Sequence, residues 1–140
     1  MRARFTSCFA FALLMAGCAA NQSGPPAGPQ FDGTYSGSVQ VVRGGGFVCN
    51  YNPDLLTLAV HDGQFDFPFP VNGPRTSPLR VQVFADGRFR GDMQYGVVDP
   101  MYRLGYRTEW ATVTGQISGP TLQGTIDNLE CTRQMSLQRH

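Results

Sequence analysis

The chain has 140 residues, with 11 basic and 10 acidic side chains and a formal charge of +1. This near-neutral balance lacks the basic field that nucleic-acid binding requires. All the basic residues are arginines.

The chain opens with Arg2 and Arg4, followed by the apolar run FAFALLMAG over 9–17. A short basic region before an apolar run of this length predicts a signal peptide over 1–17. The run is too short for a transmembrane helix of about 20 residues, and no later segment approaches that length. The stretch LLMAGC, 13–18, resembles the lipobox of bacterial lipoproteins, with Ala16 and Gly17 before Cys18 and Met15 where leucine is usual. The resemblance implies that Cys18 is lipidated with palmitate-type chains and becomes the N-terminus. Ala19 stands where an inner-membrane retention signal has aspartate, which implies the outer membrane of a Gram-negative envelope. The alternative is an ordinary secretory signal cleaved between Ala16 and Ala20. Two or more acyl chains hold a protein stably at a bilayer where one does not, at ~0.8 kcal/mol per buried CH₂. Removal of Arg2 and Arg4 takes the formal charge from +1 to −1.

Of the four cysteines, Cys8 falls in the signal and Cys18 is the lipidation site. Cys49 and Cys131 remain as an isolated pair in an exported, oxidising setting, where a disulfide is expected. Two cysteines without nearby histidines offer too few ligands for a metal site, and no cofactor is predicted.

Residues 18–30 read as the lipidated cysteine and a linker. Pro25, Pro26 and Pro29 favour extended backbone, and the small side chains offer no core. The remaining 31–140 read as one small domain. It shows turn signals at short intervals between alternating apolar runs, which predicts an all-β antiparallel meander. Eight strands are predicted, over 33–42, 54–61, 64–69, 79–84, 88–95, 107–117, 121–127 and 131–138. A two-residue Asp62-Gly63 turn sets Val60 against Phe65, Leu58 against Phe67 and Leu56 against Phe69. A three-residue turn over 85–87, with Gly87 left-handed, sets Val83 against Phe89 and Leu79 against Met93. A turn at Gly119-Pro120 sets Ile117 against Leu122, Gly115 against Gly124 and Val113 against Ile126. Eight strands in meander order predict a closed up-and-down barrel, with an open two-sheet sandwich as the alternative.

In the barrel, the tight turns at 62–63, 85–87 and 118–120 share one end, the bottom. The loops 43–53, 70–78, 96–106 and 128–130 share the top, and long loops there mark the candidate working end. The linker enters at the bottom, so the top is expected to face away from the membrane. Strands one and eight become neighbours, which brings Cys49 to Cys131. The run RGGGFVCNYNP, 43–53, holds three glycines but leads into a strand, which excludes a phosphate loop. Gly44, Gly45 and Gly46 read instead as slack that lets Cys49 cross to Cys131. The opening FDGTYSG, 31–37, resembles the Gly-x-Trp start of the calycin barrels, the superfamily of lipocalins and avidins, with Gly33 and Tyr35 at its positions. The resemblance implies that Arg139 packs over that start. Biotin-type binding needs several tryptophans, and this chain has Trp110 alone.

No catalytic constellation is predicted. His61 reads as a turn residue and His140 as a terminal one, and Asp62, Asp86 and Asp127 read as turn formers. Glu109 with Asp99 is a candidate acid pair. The candidate binding residues are Tyr102, Arg103, Tyr106, Arg107 and Trp110, aromatics and arginines of the hot-spot type around the longest top loop. Trp110 falls on the opposite face from Val113 and Ile117, and so is either exposed or turned inward by a bulge. A loop packing its own aromatics as a lid is the structural alternative. Arg133 is the sixth candidate. Alternation points it inward near the top, at the solvent of the mouth, beside Glu109 or Glu130, or against an anionic ligand. The functional expectation is a non-enzymatic, monomeric lipoprotein anchored in the membrane by its lipid. It is expected to bind an envelope protein or a small ligand through its top loops. An envelope hydrolase inhibitor acting by loop insertion and a carboxylate enzyme at the barrel mouth are the alternatives.

Overall fold

The computed structural model describes residues 24–44, 49, 55–72, 75–98, 106–129 and 131–140. After a short 3-10 turn at Pro29–Phe31 come eight strands: β1 Gly33–Gly44, β2 Leu55–Val60, β3 Gln64–Asn72, β4 Arg75–Val83, β5 Arg88–Val98, β6 Tyr106–Ser118, β7 Thr121–Asn128 and β8 Cys131–Arg139. They form one antiparallel sheet in the order β2-β1-β8-β7-β6-β5-β4-β3, rolled into a nearly closed barrel. The first and last strands are joined along their length, from Tyr35 opposite Arg139 to Gly44 opposite Cys131. This ladder makes the sheet a barrel rather than a two-sheet sandwich.

Turn chemistry sets the registers. Asp62 and Gly63 both have positive φ, 50° and 69°, as a two-residue type I′ turn demands. Gly87 has φ +83°. The Phe84 amide donates to the Arg88 carbonyl and the Gly87 amide to the Phe84 carbonyl, both at 2.8 Å, closing the three-residue loop. Val83 accordingly faces Phe89. Ile117 faces Leu122, Gly115 faces Gly124 and Val113 faces Ile126 around Gly119-Pro120.

Two expected pairings are not made in full. β2 and β3 form no ladder: their only bridge joins His61 to Gln64, at the turn. Gln64 donates toward β2, and donors along a strand alternate sides, so Asp66, Pro68 and Pro70 face β2 and two of those three positions cannot donate. A prolyl nitrogen has no hydrogen to give. Here the barrel is left without a ladder, and Leu56, Leu58 and Phe69 share the core across the gap. The β4–β5 ladder stops at Gln82 opposite Arg90 and does not reach Leu79 and Met93. The expected nine-residue loop at 70–78 is mostly strand, with β3 and β4 paired up to Asn72 opposite Arg75. Proline reads as a breaker in sequence but is tolerated where its nitrogen faces away from the partner.

The core is the inner face. Tyr35, Phe69, Leu79, Ile117, Leu122, Ile126 and Leu137 are fully buried there. The segment from Gly24 belongs to this packed structure rather than to a free linker. Pro26 bridges Phe84, the Ala27 amide donates to the Val83 carbonyl at 2.9 Å and the Ala85 amide to the Pro25 carbonyl at 3.0 Å. Ala27 is buried, and it lies so close to Gly63 that a Cβ there would sit 2.5 Å from its carbonyl oxygen. The Tyr35 hydroxyl donates to the Phe31 carbonyl at 2.9 Å. Arg139 lies on Gly33, with Nε 2.8 Å from where a Cβ would stand. Residues 24–31 thus cover the bottom of the barrel and leave the top as its other end.

Candidate functional site

Toward the top the inner wall changes character. On β8, alternation from Leu137 and Met135 brings Arg133 inward, 2% exposed, between Val41 of β1 and Ile126 of β7. On β7, alternation from Leu122 and Ile126 brings Asn128 inward, 5% exposed, opposite Cys131 of β8 and Ala111 of β6. Tyr95 of β5 is buried with its ring centroid 5.0 Å from that of Phe69. Half-buried Glu109 of β6 faces it in register. Above these lies the Cys49–Cys131 disulfide, with a Cα–Cα distance of 5.5 Å. Both cysteines are buried.

The electrostatics follow from burial. Loss of solvent pulls the Arg133 guanidinium below the usual arginine value, and the Tyr95 phenol works in the opposite direction. Arginine still keeps its charge, and it offers five N–H donors. Asn128 is more unusual: neither its Nδ2 nor its Oδ1 has a hydrogen-bond partner among the described residues, although both atoms are buried. Leaving a buried polar group unmatched costs about 1–3 kcal/mol. Together the two side chains place a cation and an amide on one inner wall near the top of the barrel.

Exposed large apolar side chains are distributed with the same polarity. Among the described residues they are Val41, Val42, Leu55, Trp110 and Leu129. Val41 and Val42 lie near the top of β1, Leu55 starts β2 at its top end, Trp110 lies in the upper half of β6 and Leu129 is in the top turn after β7.

The expected residues are placed as follows. Trp110 is 59% exposed and points outward. The β5–β6 ladder runs unbroken past it, from Arg88 opposite Gln116 to Val98 opposite Tyr106, so no bulge turns it in. Tyr106 and Arg107 open β6, opposite Val98 and Val97; their side chains lie outside the described residues. Tyr102, Arg103, Asp99, Glu130, Gly45, Gly46 and Cys18 also lie outside them. Arg133 points inward as alternation requires. Asn128 was missed because the seventh strand was ended at 127. One further step of the alternation that placed Ile126 would have found it.

At the opposite end Asp32, His61 and Asp62 bring ligand atoms within 4.8 Å of one another. His61 Nδ1 is 3.4 Å from Asp32 Oδ2, and Nε2 is 3.4 Å from Asp62 Oδ2. Each ring nitrogen thus lies near a different carboxylate. The His61 and Asp62 side chains are largely exposed. No protein-family model, no curated protein and no solved structure matches this chain.

Proposed function

We propose that the protein is a non-enzymatic lipoprotein of the cell envelope, anchored through Cys18, that binds a protein partner with the top of its barrel. One observation carries the reading. Every large apolar side chain exposed among the described residues lies toward that end, while the bottom is covered by the chain's own residues 24–31. Apolar exposure gathered at one end marks an interaction surface more often than scattered exposure does, and tryptophan is among the residues that dominate such surfaces. Arg133 and Asn128 beneath the rim supply polar specificity for a group of the partner. The anchor rests on the lipobox resemblance, and entry of the chain at the bottom directs the top away from the lipid.

The test is made in cells. A photo-crosslinking residue at position 110 should yield a discrete protein adduct, while the same residue at Gln30 yields none. Adducts at position 30 alone, or at neither position, overturn the binding reading. Palmitate labelling should depend on Cys18; labelling that survives Cys18→Ser overturns the anchor.

A further inference from the structure

The outer wall of the barrel is divided into two unlike halves. Outside β3, β4 and β5 the surface is charged and the charges are paired: Arg80 with Asp66 at 3.0 Å, Arg88 with Asp86 at 2.6 Å and Arg90 with Asp92 at 2.8 Å. Outside β1, β8, β7 and β6 one exposed pair, Arg43 with Asp127 at 3.8 Å, sits near the top, and below it lies a groove of about 530 Å³ whose side chains carry no charge.

Register arranges that groove in two ladders across the four strands. One runs Ser38, Ser136, Gln123, Gln116. The other runs Gln40, Gln134, Thr125, Thr114. At the usual strand spacing each ladder spans about 14 Å. Behind the groove the inner side of the wall carries glycine. There Gly115 and Gly124 face each other, and the Phe89 ring occupies the space of their missing side chains. A Cβ on Gly115 would lie 2.3 Å from Phe89 Cζ and one on Gly124 2.8 Å from it.

Neighbouring polar side chains on these strands are satisfied internally. Ser36 bonds Thr57, Thr112 bonds Asp92, Thr121 bonds Gln138 and Thr132 bonds Asp127. Gln116 bonds the Asp86 and Ile117 carbonyls. The other seven side chains of the two ladders make no hydrogen bond among the described residues. They are hydroxyls and carboxamides, each able both to donate and to accept.

We infer that this groove binds an uncharged, polyhydroxylated chain, a neutral oligosaccharide. An ionic ligand finds no counter-charge in it, and an apolar ligand would strand its amides and hydroxyls without water. A sugar chain, whose hydroxyls also donate and accept, satisfies them along an extended line. The inference is independent of binding at the top.

The experiment titrates the full chain, with isotope-labelled glutamine side chains, using chitohexaose in one arm, maltohexaose in a second and dextran sulfate in a third. The expected result is saturable shifts of the Gln40, Gln123 and Gln134 carboxamides with at least one neutral oligosaccharide. Response to chitohexaose alone identifies an N-acetylated glycan, and response to both a general one. The exposed double variant Gln123→Ala/Gln134→Ala should bind about tenfold more weakly, with an unchanged melting temperature. No saturable shift with either neutral sugar overturns the inference, as does a stronger response to dextran sulfate. Shifts that track protein concentration without sugar overturn it too, because they make a second copy of the chain the occupant.

Discussion

Cys49 is bonded to Cys131 across 82 positions of sequence, at the end of the barrel opposite the chain's entry. The same cysteine stands opposite Gly44 in the β1–β8 ladder, so the bond reinforces the strand pair that closes the barrel. Chain-entropy models give a loop of this length about 4 kcal/mol, by restricting the unfolded state. Reduction, or Cys49→Ala/Cys131→Ala, should lower unfolding free energy by about that amount in denaturant titration. Mapping without reductant should recover the two cysteines in one linked peptide pair.

The glycine pair behind the outer groove makes a second prediction. A Cβ on Gly115 would meet the Gln123 carbonyl oxygen and the Gly124 Cα, at 2.6 Å from the latter, and these are backbone atoms that cannot turn away. On Gly119 the added methyl would touch nothing within 4 Å, and only its φ of +56° resists. Gly115→Ala should therefore cost about 2–3 kcal/mol as overpacking. Gly119→Ala should cost about 1 kcal/mol as backbone strain. Equal losses of melting temperature would show that the wall is not tightly packed at Gly115.

These cases mark what was legible before the structure. Turns could be read: Asp62-Gly63, Gly87 and Gly119 each carry a positive φ, and after Gly87 and Gly119 the expected facing pairs follow, Val83 with Phe89 and Ile117 with Leu122, whereas after Asp62-Gly63 no ladder forms. The meeting of Cys49 with Cys131 followed from topology. Hydrogen-bond direction could not be read, because whether Pro68 and Pro70 harm a strand depends on which neighbour their nitrogens face. Nor could the packing of Gly24–Phe31 beneath the barrel, since Ala27 is small and its burial is decided by Val83 and Gly63, distant in sequence. Parity alone leaves Trp110 exposed or turned inward by a bulge, and the unbroken β5–β6 ladder decides for exposure. The groove was not, because which of its side chains find partners within the chain is decided by contacts such as Gln116 with the Asp86 carbonyl, distant in sequence.

Acid stability tests the charged half of the barrel. The Arg90 guanidinium, hydrogen-bonded to Asp92, holds that carboxyl below its ordinary value against partial desolvation, with help from the Thr112 hydroxyl. The Arg88 backbone amide is the chief cause of the same lowering at Asp86. A carboxyl lowered in the folded state contributes stability above its unfolded value of about 3.9, and the contribution is lost as pH falls through the folded value. Asp92→Asn should thus be less stable than the native chain at neutral pH, with the gap narrowing below about pH 4. A gap that stays constant down to about pH 2 would show that the Arg90 pair contributes nothing through its charge.

Trp110 separates a binding surface from a packed lid. Its outward orientation and 59% exposure leave little apolar area to lose on truncation. Trp110→Ala should change unfolding free energy by no more than about 0.5 kcal/mol while abolishing partner capture. A large drop in melting temperature would instead mean that the ring is covered within the chain itself.

Asn128 gives the sharpest separation of function from stability. Its amide is buried and has no hydrogen-bond partner among the described residues, so the folded state carries its desolvation cost without return. Leucine is close to it in size and shape and carries no polar atoms, and it removes that cost. Asn128→Leu should therefore stabilise the protein by about 1 kcal/mol. A surface residue with no polar role shows no such gain. If the amide is retained to meet a partner's group beside Arg133, the same variant should capture that partner more weakly despite its higher melting temperature. A variant that is both more stable and undiminished in capture would remove Asn128 from the binding site and leave the exposed apolar rim to carry it alone.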